Sequence, residues 1–471
     1  VVRLRHGSSV RSLAGLLLQS AAVGLSAGAF GALFFGAIEL AQRALLERWT
    51  GYVPLRAAGE AIVAWQSGVS LRTWLLAIFP AVGGLVSGLL TSRFAPEAAG
   101  GGGDAIIRCY HAGAAPAARV LPVKVAASLA ALGTGGSGGR AGPTMQVGGL
   151  LGALLGRAAG ADERRLRLLV VAGIAAGLAG LFRTPLGAAL VATEILYRDG
   201  FALDALLPAL VASLASYAVV LGIYGAAPLF GPSLGLAFAP AHLWLHALLA
   251  LVVAAGGALF LRLLRGVQEA AAASPLPAWL RPAAGGLAMG VLGVVLVEVV
   301  TRRFGVAASR LGVFGGGRGA AQAAIEQSAD LPAGWTLVVL LAAIFAAKAV
   351  ATSLTVGSGA AAGDFAPSLV MGALLGGAFG HAAQAALGDP GLDPTAFAFV
   401  GMATFYGCVA HAPVGALVLV SELAGTPALL LPMAIAGVVS AVALRSPTLY
   451  PAQRTRSESR HTPISTAPGS R

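Results

Sequence analysis

The sequence predicts an all-α polytopic membrane protein made of two repeats, and three observations carry that prediction. Of 471 residues, 57% are hydrophobic and only 11% charged, so most of the chain must be solvated by lipid or by itself. Apolar runs long enough to cross a bilayer lie near residues 13–42, 72–93, 168–196, 203–224, 242–264, 283–300, 336–356 and 427–444, with shorter Gly- and Pro-broken runs between them. Three sequence blocks of the first half recur, in the same order, in the second. The competing membrane architecture, a β-barrel, needs ten-residue alternation of apolar and polar positions, which the long Ala/Leu/Val blocks lack.

Taken in order, a basic leader (1–12) precedes the first apolar run, and 43–60 is a polar excursion with Glu47, Trp49, Tyr52 and Pro54. The first matched block, Pro80-Ala81-Val82-Gly83-Gly84-Leu85-Val86-Ser87-Gly88, returns as Pro282-Ala283-Ala284-Gly285-Gly286-Leu287-Ala288-Met289-Gly290. Each copy is followed by a glycine cluster, Gly100 to Gly103 with Asp104 in one half and Gly315 to Gly317 with Arg318 in the other. The second block is a glycine-dense loop, Gly133 to Pro143, whose twin is Gly357 to Pro367. Lys124 and Lys348 lie nineteen residues before the two prolines, and Gly148, Gly152, Gly156 and Gly372, Gly376, Gly380 follow them. In the third block, Gly173 and Gly401 stand twelve residues before Pro185 and Pro413, which are followed by Gly187/Glu194 and Gly415/Glu422. The repeats therefore run over 13–225 and 241–450, joined by a Pro/Gly-rich connector (226–240). A basic tail (451–471), rich in Arg, Ser, Thr and Pro, is expected to be disordered. Repeats of short, Gly/Pro-interrupted helices are the signature of transporters whose halves meet at a midplane site.

The formal charge of +12 comes mostly from arginine. No basic run is interleaved with aromatics, so nucleic acid is not an expected partner; Arg-rich loops instead orient membrane helices. The basic leader (Arg3, Arg5, Arg11) and tail (Arg445, Arg454, Arg456, Arg460) favour an orientation in which both termini are expected on the cytoplasmic side of the cell (inner) membrane. Cys109 and Cys408, one per half, read as small core residues. The first apolar run is of spanning length, unlike a cleavable signal peptide. No Ser-His-Asp, Cys-His or paired-carboxylate constellation points to an enzyme, and no cofactor is expected.

The glycine loops carry the chemistry. A dehydrated anion inside a bilayer must be compensated, yet full positive side chains would hold it too tightly to let it leave. Helix N-termini offer about half a charge each, and glycine at the approach positions removes side chains that would keep the ion at a distance. Two loops ending in proline at a helix start therefore suggest one anion site built from both halves. The glycines spaced by four after each proline read instead as close helix packing.

Gly139-Arg140-Ala141-Gly142-Pro143, Gly363-Asp364-Phe365-Ala366-Pro367 and Gly100-Gly101-Gly102-Gly103-Asp104, with Leu121-Pro122-Val123-Lys124, resemble the signature segments of the CLC chloride channel and chloride–proton antiporter family, in its prokaryotic form. The resemblance covers nearly the whole chain. It implies two inverted-topology repeats of tilted and broken helices around a midplane anion site, and a homodimer in which each subunit has its own pathway for chloride or a similar monovalent anion. It further implies anion binding by Gly101, by Arg140, Ala141 and Gly142, by Gly363, Asp364, Phe365 and Ala366, and by the Tyr450 hydroxyl at the inner side.

Three departures accompany the resemblance. Ala141 stands at the gate position, where the family usually has a Glu that competes with the anion and swings away when protonated. Ile195 stands at the inner proton-glutamate position of the family exchangers; neighbouring Glu194 reads as a buried carboxylate bonded to backbone or hydroxyls. Gly101 replaces a Ser that often gives its hydroxyl to the central ion. The expected function is therefore chloride permeation uncoupled from protons. The alternative is a proton-coupled antiporter using a non-standard acid such as Glu194 or Asp364, although Asp364 reads first as a helix cap or an Arg partner. A more distant alternative is a metal-binding membrane transporter or enzyme centred on His242 and His246, spaced i, i+4. Lys124 and Lys348 read as snorkelling residues, as cations that raise the potential of an anion path, or as proton carriers.

Overall fold

Proline and glycine cut the apolar runs into helices that pair one-to-one between the halves. The computed structural model describes residues 8–57, 59, 70–113, 117–226, 229–230, 240–307, 311–326, 331–389, 391–445 and 447–461. The first half supplies α1 (Ser8–Gln42), α2 (Thr73–Phe94), α3 (Gly103–Ala112), α4 (Val120–Gly133), α5 (Ala141–Ala158), α6 (Glu163–Phe182), α7 (Pro185–Glu194) and α8 (Leu206–Tyr224). The second supplies α9 (Leu243–Ala273), α10 (Arg281–Phe304), α11 (Arg318–Glu326), α12 (Trp335–Gly357), α13 (Phe365–Leu387), α14 (Pro394–Ala410), α15 (Pro413–Ala424) and α16 (Leu430–Ala443). A short α17 (Arg456–His461) follows. Most of the connector, 231–239, and the end of the tail, 462–471, lie outside the described residues.

Eight described helical segments are long and apolar enough to cross a membrane, and the protein is an integral multi-pass membrane protein. The apolar run 168–196 is two helices, not one. Pro185 disfavours helical geometry at Thr184, and Arg183 closes α6 in the left-handed conformation at φ 57°. His411 does the same before Pro413, at φ 53°. These two are the only described non-glycine residues with positive φ, and they stand at equivalent places in the repeats. The run 427–444 yields only the 14-residue α16, whereas α13 is a full-length helix whose many glycines hold its hydropathy to 1.3.

Glycine permits the closest approaches, and these are reciprocal. A Cβ on Gly84 would overlap the Pro282 carbonyl, and one on Gly286 would overlap the Pro80 carbonyl, so α2 and α10 cross backbone-to-backbone across a pseudo-two-fold axis. Gly148 and Gly152 bring α5 against the carbonyls of Gly173 and Leu169 on α6; Gly372 and Gly376 bring α13 against those of Gly401 and Phe397 on α14. This is the small-residue packing expected of both sets. It buries α5 and α13, the helices that open at the glycine loops, in the middle of the molecule.

Placing a methyl group at Gly84 or Gly286 forces these backbones apart, so Gly84→Ala and Gly286→Ala should each destabilise the fold by about 1–3 kcal/mol. Gly31 on α1 has open space where its Cβ would go, so Gly31→Ala should not destabilise. Thermal unfolding in detergent, read by loss of the monodisperse species, checks all three.

Candidate functional site

The two glycine loops meet at their equivalent residues. Gly139 N–H donates to the Gly363 carbonyl at 2.7 Å and Gly363 N–H donates to the Gly139 carbonyl at 2.8 Å, forming one antiparallel bridge. The two other glycine clusters join the same junction. Gly100 N–H donates to Gly359 O, and Gly315 N–H to Gly135 O, each at 3.2 Å. A Cβ at Gly142 would overlap the Gly101 carbonyl, and one at Gly363 would lie 2.6 Å from the Gly142 nitrogen. Gly142 is thus packed directly against both Gly101 and Gly363 because none of the three carries a side chain.

Lys124 and Lys348 tie the clusters down. The fully buried Lys124 Nζ donates to the carbonyls of Ala98 (2.9 Å) and Gly100 (2.7 Å). Lys348 Nζ donates to those of Val313 (3.4 Å) and Gly315 (2.6 Å), and to Ser137 Oγ (3.0 Å). Neither lysine snorkels; each satisfies carbonyls of a glycine loop that has no ladder of its own.

At the N-termini of α5 and α13 the first N–H groups cannot be met within their own helices. Ala141 is fully buried and places a methyl group, with no charge or hydrogen-bonding atom, at the start of α5. The Arg140 side chain leaves the junction. Its guanidinium lies over the Phe35 ring at 4.2 Å, and Nη2 donates to Glu39 at 3.1 Å. Glu39 also takes Arg56 Nε at 2.6 Å. Glu39, Arg56, Gly139, Arg140, Arg318 and Ala366 share a cavity above the bridge. Glu39 and Arg56 of this cavity are not among the residues singled out from the sequence, where Glu39 in an apolar helix was the available signal.

The opposite side of the junction holds Tyr450. Its ring packs on Gly103, 2.7 Å from where a Cβ would be. The chain around it is fixed by Leu449 N–H to Val409 O (2.7 Å), by Ala452 N–H to the Asp104 carboxylate (2.7 Å), and by Gln453, whose amide donates to the Ile195 and Ala410 carbonyls. The Tyr406 hydroxyl, unforeseen from the sequence, lies 3.5 Å from that of Tyr450. The Phe365 ring packs, tilted, against Tyr406 at 4.0 Å and against Phe182 at 5.1 Å, and Arg318 lies over Phe182 at 5.2 Å. An aromatic wall therefore runs from the cavity to Tyr450 past the glycine junction.

Asp364 is neither a cap nor an Arg partner, the two roles first expected of it. It makes no side-chain hydrogen bond of full cap geometry to α13 and takes part in no described ion pair; the backbone N–H groups of Asp364 itself and of Phe365 act on its carboxyl, whose buried Oδ1 has no partner. Burial of Phe365 and Ala366 directs the chain inward at this point and takes the carboxyl with it. Glu194 has an identifiable role. It accepts from Val414 N–H (3.2 Å) and Gly415 N–H (2.6 Å) at the start of α15, while Glu422 accepts from Leu186 N–H (3.2 Å) and Gly187 N–H (2.7 Å) at the start of α7. Ile195 is buried with an apolar side chain beside it.

The two histidines part from each other. His242 Nε2 lies 2.9 Å from Asp389 Oδ2, whereas the His246 ring stacks on Phe397 at 4.4 Å. Among the described residues no group of three His, Cys, Asp or Glu side chains is placed to hold a metal.

The family model described as "Voltage gated chloride channel" matches residues 83–445, a span that contains the four glycine clusters but not Glu39, Arg56 or Tyr450. The chain belongs to the voltage-gated chloride channel family. Two curated members of that family, both named H(+)/Cl(-) exchange transporter ClcA, are similar to it. The one from Citrobacter koseri is 32% identical, covering 92% of this chain and 88% of that protein. The one from Vibrio parahaemolyticus is 30% identical, covering 89% and 84%. Solved CLC structures share the fold. A slow cyanobacterial Cl⁻/H⁺ antiporter superposes with a TM-score of 0.72 at 23% identity, covering 91% of this chain and 94% of its own. A CLC-type fluoride/proton antiporter superposes with a TM-score of 0.73 at 21% identity, covering 94% and 98%. As a CLC protein, the chain is an anion transporter.

If the two glutamates are structural caps, Glu194→Gln and Glu422→Gln should each lower stability by about 1–3 kcal/mol, as loss of a charged acceptor does, and by similar amounts. Anion flux per folded molecule should be retained in both. Thermal unfolding and chloride efflux from liposomes measure the two quantities separately.

Proposed function

We propose that this CLC protein is a passive, proton-uncoupled pathway for chloride or a similar monovalent anion. The supporting observation is the contrast between its two layers of helix N-termini. At α7 and α15 the orphan N–H groups are filled by the protein's own carboxylates, Glu422 and Glu194. At α5 the corresponding position is the methyl group of Ala141, so the half-charge of that N-terminus is left to a mobile anion. An anion there would be met by the N–H groups of Ala141 and Gly142 from one half, by those of Phe365 and Ala366 from the other, and by the Tyr450 and Tyr406 hydroxyls. The arginines around the upper cavity raise its local concentration.

Coupling protons to this movement calls for acids that take up and release protons along the route. Ala141 and Ile195 cannot titrate, and Glu194 is engaged by two backbone N–H groups. A second reading, proton-coupled exchange through a non-standard acid, is favoured by the exchanger names of the curated relatives. In either case we infer a homodimer in the cell (inner) membrane with both termini cytoplasmic and one pathway per subunit, on the strength of the family resemblance and the basic ends of the chain.

Purified protein in liposomes, followed with parallel chloride and pH electrodes, separates the readings. Chloride should leave down its gradient without moving protons; uphill proton movement driven by chloride would establish exchange instead. Ala141→Glu should cut chloride flux about tenfold or more near neutral pH, because a carboxylate at a helix N-terminus is held against the anion. Flux should recover as the medium is acidified and the new side chain is neutralised. Measured against the unaltered protein at the same pH, an Ala141→Gln chain, which has the same length and no charge, should show no such recovery.

A further inference from the structure

One buried acid remains unexplained by these roles. Asp364 is 7% exposed, stands at the loop junction, and has a carboxyl oxygen with no partner. Its other oxygen, Oδ2, lies 2.9 Å from where a Cβ of Gly101 would be, so the carboxyl fills the space that the missing side chain at 101 leaves open. The same Gly101 presents its carbonyl to Gly142 at the start of α5. The carboxyl therefore lies at the residue that precedes α13, against the Gly101 backbone that packs on the start of α5.

The charged and titratable groups around it come from four elements. Lys124 on α4 and Asp104 on α3 act on Asp364 electrostatically, and Asp364 acts on Tyr406 of α14 and on Tyr450. The Lys124 ammonium is already committed to the carbonyls of Ala98 and Gly100. From α5 the nearest charge is Arg140, and its guanidinium is turned away to Glu39 and Phe35. No cation at the junction thus neutralises Asp364 by direct contact among the described residues. A negative side chain and a negative ion cannot share so small and dry a space.

We propose that Asp364 is a proton-controlled plug of the anion route. When ionised, it occupies the junction beside Gly101 and excludes the permeating anion. When it takes one proton from water, the charge is lost, the hydroxyl becomes a hydrogen-bond donor, and an anion can sit among that donor, Tyr406 and Tyr450. The plug rests on the anion-pathway reading above and adds regulation to it. The proton opens the route and is not carried through it, so permeation stays uncoupled while becoming acid-activated.

The test uses the full chain in liposomes, with chloride efflux measured at equal pH on both sides. Flux through the unaltered protein should climb by about tenfold per unit fall in pH while most carboxyls are ionised, then level off. Asp364→Asn, which has the same shape without the charge, should conduct at the high level at every pH. Asp364→Ala should do likewise and covers the case in which the Asn chain does not fold. A flat flux–pH curve for the unaltered protein overturns the plug, as does an Asp364→Asn or Asp364→Ala chain that keeps the unaltered pH dependence. Proton movement driven by a chloride gradient would overturn uncoupled permeation. The comparison of flux–pH curves would still decide the plug.

Discussion

Two hydrogen bonds between Gly139 and Gly363 are the constraint on which the rest of the molecule depends. They join equivalent residues of the two repeats, and an antiparallel bridge between equivalent residues imposes a two-fold relation on everything attached to it. The reciprocal overlaps of Gly84 with Pro282 and Gly286 with Pro80, and the exchanged caps of Glu194 and Glu422, obey the same axis. The bridge also forces irregular backbone into the interior, where unpaired carbonyls are costly. Lys124 and Lys348 answer that cost by donating to the carbonyls of the neighbouring glycine loops. Each buried ammonium is thereby compensated by backbone dipoles, and each loop gains a fixed position.

The interior uses helix N-termini in two ways, and the difference between them is electrostatic. At α7 and α15 carboxylates from the opposite repeat complete the helix ends, which welds the repeats together and removes those N–H groups from any ligand. At α5 and α13 the ends face the junction with Ala141 and Phe365 as their first residues, and neither can accept a hydrogen bond through its side chain. A site that must release its ion benefits from partial charges on fixed backbone, which attract without the depth of a full ion pair. The cations Arg140 and Arg56 are correspondingly held off the junction by Glu39.

Opposite the glycines stands a wall of large rings. Phe182, Phe365 and Tyr406 pack in sequence, and Tyr406 reaches the Tyr450 hydroxyl. Rings have few rotatable bonds and pack without voids, so the wall keeps the width of the route constant while the glycine side sets its polarity. Tyr450 gains its place through Asp104, Val409 and Gln453, so the segment after the last long helices belongs structurally to the site.

The sequence by itself determined the class, the duplication and the location of the junction. Hydropathy reports burial in lipid, and the backbone needs of close packing and tight loops leave glycine and proline at fixed spacings, as at Gly139, Gly142, Gly363 and Pro367. The split of 168–196 at Arg183 and the full length of α13 were less legible, because a proline break and a glycine-rich span hardly alter average hydropathy. Tertiary structure alone decided what the charged groups do. Glu194 finds its N–H donors 221 residues away, Glu39 meets Arg140 across 101 residues, and Asp364 is left with an unpartnered oxygen against Gly101. The energy of a buried charge is set by the groups that surround it in space, and a linear pattern records which residues are charged without recording their neighbours.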